Sequence, residues 1–348
     1  MDLEYFEDIA VGEAPLSGTY EVSKEEVIDF ATQFDPQPFH LDEEAAKKTM
    51  LGGLSASGWH TASMSMRLLY DSYLVRAASM GSPGVDELKW IKPVRPGDRL
   101  RLRRNVLEKR QSQSRPDMGL ALCQCDVFNQ HDDVVMTYRS PIMLRRRNVQ
   151  AAAAEPQPPR QDAAKPAAAK PEVVKPDAAE PAPSDVAEAP FAGLFYDDIA
   201  VGQRMEIGSY SFDKAAIIAF AKKYDPQPFH LDEAAAQKSH FGGLVASGWH
   251  TAAAYMGQLI RNRQKRQAEF VAKGVLLPEP GPSPGFNKLR WRAPVFAGDT
   301  LRFTSEIVNK RQVSRPGWGL VFVHNRGFNQ HGRLAFEFEA IAFWQMRP

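Results

Sequence analysis

Between residues 58 and 78 apolar side chains cover far more than one stripe of the chain. Ala62, Met64, Met66, Leu68, Leu69, Tyr73, Leu74 and Ala77 all fall there, so the spacing predicts a long helix buried on several sides. Downstream the rhythm shortens. Leu100-Arg101-Leu102-Arg103 alternates every second residue, as a half-exposed strand does. Strands are expected over 85–94, 99–109, 120–129 and 134–144. The breaks carry turn formers: Pro96-Gly97-Asp98, Arg115-Pro116-Asp117 and Asn129-Gln130-His131-Asp132. Upstream, a short strand near 18–22 leads to Ser23-Lys24-Glu25-Glu26, which has the form of a capping box and starts a helix through about Gln33. Residues 41–48 read as a short surface helix. One buried helix followed by about four antiparallel strands implies an α+β unit, its curved sheet wrapped around the helix.

The same order is then written a second time. Asp35-Pro36-Gln37-Pro38-Phe39-His40-Leu41-Asp42-Glu43 returns letter for letter at 225–233, and Ala56-Ser57-Gly58-Trp59-His60-Thr61-Ala62 returns at 246–252. The chain is therefore a duplication, with a first domain over 1–147 and a second over 191–348. Between them, 148–190 is dominated by Ala, Pro, Lys and Glu. Such a stretch has too little apolar area to offset its ordering entropy and is expected to be a semi-extended tether. The second half carries about 11 extra residues between Trp249 and Trp291, placed by register in the charged, then Pro-rich segment 261–284.

Composition narrows the classes. With 43% hydrophobic and 24% charged residues and a net charge of +1, nothing suggests nucleic acid or an anionic membrane as partner. No apolar run reaches the roughly 18 residues of a membrane helix. The acidic start lacks the basic and apolar regions of a signal peptide. Cys123 and Cys125 would share one face of a strand, but Val323 and Asn325 stand at the matching places. The thiols therefore read as packing groups in a reduced, cytoplasmic protein.

The candidate chemistry lies in the repeated stretch. Pro36 and Pro38 stiffen a bend with a carboxylate at its start and an imidazole at its end. Asp35 with His40, and Asp225 with His230, can grip one water and share its protons. Gly58 and Gly248 open the buried helix, where a backbone N–H has no partner inside the helix and can stabilise developing negative charge. A steric need for glycine in a turn explains these positions equally well. No metal-ligand spacing, Gly-rich phosphate loop or nucleophile elbow is present.

The pattern Asp-x-x-Pro-x-His, followed by a glycine opening an apolar helix, resembles the MaoC-like, R-specific enoyl-CoA hydratases over nearly all of both halves. The resemblance implies two hotdog folds joined edge to edge as a pseudo-dimer, with further homo-oligomers possible. It implies reversible hydration of a 2-enoyl-CoA to an (R)-3-hydroxyacyl-CoA, with no cofactor beyond the coenzyme A of the substrate. In that reading Asp35, His40, Asp225 and His230 activate the water, and Gly58 and Gly248 hold the thioester oxygen. Gln37, Gln227, Trp59, Trp249, His60 and His250 are candidates for substrate contact, and Arg115 and Arg315 for the coenzyme A phosphates. Since both pairs are intact, two competent sites per chain are expected. Many relatives carry Asn at Gln37 and Gln227, and a His-Gly step at Ser57-Gly58 and Ser247-Gly248. The rival functions are a hotdog acyl-CoA thioesterase, a non-catalytic acyl-CoA-binding protein, and a dehydratase restricted to branched dicarboxylic acyl-CoA.

Overall fold

The computed structural model describes residues 3–147, 191, 193–279 and 281–348, so the expected tether lies outside the described residues. The first half has helices α1 (Lys24–Phe34), α2 (Pro38–Leu41), α3 (Glu43–Lys47) and α4 (Gly58–Leu69). Its strands are β1 (Gly12–Glu13), β2 (Tyr20–Glu21), β3 (Gly84–Trp90), β4 (Arg99–Gln111), β5 (Met118–Phe128) and β6 (Val134–Arg145). The second half repeats this with α5 (Lys214–Tyr224), α6 (Pro228–Leu231), α7 (Glu233–Lys238) and α8 (Gly248–Ala272). Its strands are β7 (Arg204–Ser211), β8 (Gly285–Trp291), β9 (Thr300–Gln312), β10 (Trp318–Phe328) and β11 (Leu334–Gln345).

The eleven strands of the described residues belong to one antiparallel sheet ordered β1-β4-β5-β6-β3-β8-β11-β10-β9-β7, with β2 also on β4. The halves meet where β3 pairs with β8, Gly84 opposite Arg290 and Lys89 opposite Gly285. Glycine is required there by close approach. A Cβ on Gly84 would lie 2.1 Å from the Leu289 carbonyl oxygen, and one on Gly285 would lie 2.0 Å from that of Leu88. On the inner face, α4 and α8 are the long helices around which each half of the sheet curves. Alternation places Leu100, Leu102 and Val106 of β4, and Cys123, Cys125 and Val127 of β5, against α4.

Three sequence expectations are revised. The first long helix ends as an α-helix at Leu69 and continues as one π-helical turn over Tyr70–Leu74, with the Val75 N–H donating to the Tyr70 carbonyl. The extra residues of the second half mainly lengthen its helix, which runs 25 residues against 12. The capping box at Ser23 forms only by half. The Ser23 hydroxyl accepts from Glu26 N–H, but the Glu26 carboxylate turns inward to Tyr20 and His60.

Candidate active site

Helix α1 stops at Asp35 because the Pro36 that follows disfavours helical backbone there; Asp35 sits at φ −156°, ψ 64°. Pro38 then opens the single turn of α2, which presents His40. The imidazole Nδ1 bonds the Ser55 carbonyl at 2.7 Å, and its Nε2 stands 3.5 Å from Asp35 Oδ2. Asp35 is held from two further sides: Ser57 Oγ donates to Oδ2 at 2.6 Å and Gln37 Nε2 donates to Oδ1 at 2.9 Å. The second half repeats the constellation. His230 Nδ1 bonds Val245 O at 2.7 Å, and Nε2 lies 3.4 Å from Asp225 Oδ2. Ser247 donates to Oδ2 at 2.7 Å and Gln227 to Oδ1 at 2.9 Å. All four acid and imidazole side chains are buried.

A carbonyl acceptor on Nδ1 fixes the proton there, so Nε2 of the neutral ring carries a lone pair. The separation of about 3.4 Å from the carboxylate is longer than a good direct hydrogen bond. It suits a water held by both groups. Burial raises the cost of charge on Asp225, but His230 and the hydrogen bonds of Ser247 and Gln227 outweigh it and hold the carboxyl below its usual value.

Gly58 and Gly248 begin α4 and α8, and among the described residues neither N–H has an acceptor. Sterics also demand glycine. The Trp90 indole packs on Gly58, where a Cβ would lie 2.5 Å from Cε2, and Trp90 Nε1 donates to the Gly58 carbonyl at 2.9 Å. Trp291 treats Gly248 likewise, at 2.1 Å and 3.0 Å. Both readings of the glycine therefore hold at once.

The remaining predicted residues divide. Gln37 and Gln227 belong to the site by orienting the aspartates. Ser57 and Ser247, which the sequence did not single out for the site, do the same while accepting from Trp59 and Trp249 N–H. The signal that could have revealed them is their place beside each glycine that opens a buried helix. His60 and His250 point away from the site, correcting that assignment. On a helix, a residue two beyond the opening glycine faces a different side. His60 stacks on Phe30 and meets Glu26 and Tyr224, whereas His250 stacks on Phe220. Burial drives the His250 pKa down to about 3. Arg115 gives a bidentate pair to Asp117 across its own turn, and Arg315 has no side-chain bond among the described residues.

A cavity of about 340 Å³ opens beside the Asp225–His230 constellation. Asp225, Gln227, His230, Gly248 and Trp249 form one wall, and Met66, Leu69, Leu74, Cys123, Cys125 and Tyr138 of the other half form the opposite one. The site is thus shared between halves. Arg292 stands at its edge, and Arg115 and Arg145 lie near enough to His240 to help burial hold that imidazole below its usual pKa.

Two wrapped helices under one continuous sheet, with an acid–imidazole pair over the neighbouring half's interior, define a double-hotdog protein. Residues 8–121 and 198–321 both match the family model described as MaoC like domain, and the chain belongs to that family. Mesaconyl-CoA hydratase from Cereibacter sphaeroides is 25% identical over 252 residues, which span 68% of this chain and 63% of that enzyme. A MaoC domain protein dehydratase from Chloroflexus aurantiacus superposes with TM-score 0.75 at 18% identity, covering 99% of this chain and 98% of its own. A conserved hypothetical protein from Mycobacterium tuberculosis, described as a double hotdog fold, gives 0.65 at 15% identity and covers 98% of each.

Proposed function

We propose that the protein reversibly hydrates a 2-enoyl-CoA to a 3-hydroxyacyl-CoA at the Asp225–His230 pair. The observation that carries this reading is the buried pair, with its free imidazole Nε2 and carboxylate, facing an open helix amide across one cavity. The water between Asp225 Oδ2 and His230 Nε2 adds its oxygen to C3 and gives up a proton to the pair. The C2=C3 electrons move onto the thioester oxygen, where the Gly248 N–H stabilises the enolate. The pair then returns the proton to C2, so one water is consumed and the side chains end as they began. Dehydration is the same sequence run backwards. The family, and the name of the Cereibacter relative, support this chemistry.

The test is loss of the conjugated thioester absorbance on adding crotonyl-CoA, with chiral analysis expected to give the (R) alcohol. Release of free coenzyme A from saturated acyl-CoA would instead support a thioesterase. Tight binding without turnover would support a non-catalytic carrier.

A second reading of the acyl group, one bearing a carboxylate, is favoured by Arg104. Its guanidinium lies 3.8 Å from the Tyr73 ring centroid and close to the Cys123 thiol of the cavity wall. Among the described residues, its Nη1 and the Tyr73 hydroxyl are buried without a hydrogen-bond partner. Faster turnover of mesaconyl-CoA than of crotonyl-CoA, abolished selectively by Arg104→Leu, would establish it.

A further inference from the structure

The two constellations match atom for atom, yet the spaces they face differ. By the pseudo-symmetry of the halves, the acyl group of a substrate at Asp35–His40 would enter the interior of the second half. That interior is packed with buried aromatic side chains. Tyr255 of α8 stands where α4 carries Ser65. Its ring is fully buried edge-on to Phe338 at 5.1 Å and Phe303 at 5.7 Å, and its hydroxyl bonds Asn325 at 2.6 Å and Ser305 at 3.2 Å. Asn325 and Ser305 occupy the places of Cys125 and Arg104, so the tyrosine is anchored by groups the first half lacks.

Around it several aliphatic positions of the first half become aromatic. Phe286, Phe303, Phe336 and Phe338 replace Val85, Leu102, Met136 and Tyr138. Trp59 is stacked flat on Phe286 at 5.0 Å and meets Phe338 at 5.5 Å. Its counterpart Trp249 lines the open cavity. The rims differ too: Ile91 stands where the open site has Arg292, and Gln345 where it has Arg145.

We infer that the chain has one working acyl-CoA site, at Asp225–His230, and that Tyr255 is the plug closing its twin at Asp35–His40. This inference deepens the hydratase reading and rests on it for the ligand class. The first pair persists because it staples a loop. His40 ties the loop to Ser55, Asp35 ties it to Ser57, and the lengthened α8 docks on it through Arg261 and Gln264, which donate to the Gln33 and Pro36 carbonyls. Identical letters at 35–43 and 225–233 therefore serve folding in one half and chemistry in the other.

Titration of the full chain with butyryl-CoA, which has no double bond to hydrate, is expected to give one equivalent bound per chain. Two equivalents would overturn the inference. Asp225→Asn, with Asp35 and His40 intact, is expected to lower enoyl-CoA hydration at least a hundredfold; residual activity above about a tenth would also overturn it. Tyr255→Ser, which restores the residue of the first half, is expected to raise the stoichiometry from one to two and to return hydration to the Asp225→Asn chain. A folded Tyr255→Ser protein still binding one equivalent would remove Tyr255 as the plug. If no enoyl-CoA is hydrated by the native chain, the hydratase reading fails, while the butyryl-CoA count still decides the number of sites.

Discussion

Asp225 works as an acceptor only while it stays charged inside a dry pocket, and each donor around it has a measurable share. Ser247→Ala removes one hydrogen bond from Oδ2. A bond to a charged group contributes about 1.5–3 kcal/mol, or roughly one to two pH units. The expected result is an acid limb of the kcat/KM profile moved upward by that much, with the plateau at neutral pH less affected. An unmoved limb would show that Ser247 serves only to cap α8. His250 tests the opposite sign. Buried among Phe220, Phe212 and Tyr210, it is held neutral, with its pKa depressed to about 3. The unfolded chain takes up that proton near pH 6.5, so the stability it confers is complete above that pH and declines as pH falls toward 3. The slope is at most about 1.4 kcal/mol per pH unit. Urea midpoints measured from pH 7 to 4 should fall, and His250→Gln should flatten the decline.

At the scale of elements, the seam is the most sensitive joint. Gly285→Ala would drive a Cβ to within 2.0 Å of backbone oxygen on β3, where no flexible side chain can give way. A cost of about 1–3 kcal/mol is expected, read as a melting temperature lowered by several degrees; an unchanged melting temperature would mean the seam is looser than drawn. The long helices were legible in outline because apolar residues cover several of their sides. Their ends were not. The π-turn at Tyr70–Leu74 leaves no mark in hydrophobic spacing, and the extra residues of the second half, rich in Lys, Arg and Gln, showed in the sequence only as an insertion in a charged segment. Those residues are helical since Arg261 and Gln264 find carbonyl acceptors on the other half, a tertiary cause. The half-formed capping box has a similar origin, Glu26 being drawn inward by Tyr20 and His60.

For the whole molecule, the consequence of a shared site is that neither half contains a complete one in its native setting. Residues 191–348 expressed alone carry Asp225 and His230 but only an interior filled by Tyr255, and should be inactive even if they dimerise. Residues 1–147 dimerising through β3 would set Asp35 and His40 over an open interior and should hydrate enoyl-CoA. Size-exclusion chromatography with the absorbance assay would read both outcomes, and activity confined to 191–348 would contradict the division of space between the halves.

The sequence by itself determined the duplication, the α+β order of each half, the acid–imidazole pair and the glycine at the helix start. These are local facts, written in repeats, proline positions and hydrophobic spacing. Only the tertiary structure decided that Ser57 and Gln37 grip the aspartate, that His60 and His250 turn away, and that the Asp225–His230 site opens on a cavity lined by both halves. Packing is the physical reason: whether space exists beside a residue depends on side chains remote in sequence and belonging to the other half, and no stretch of identical letters records it.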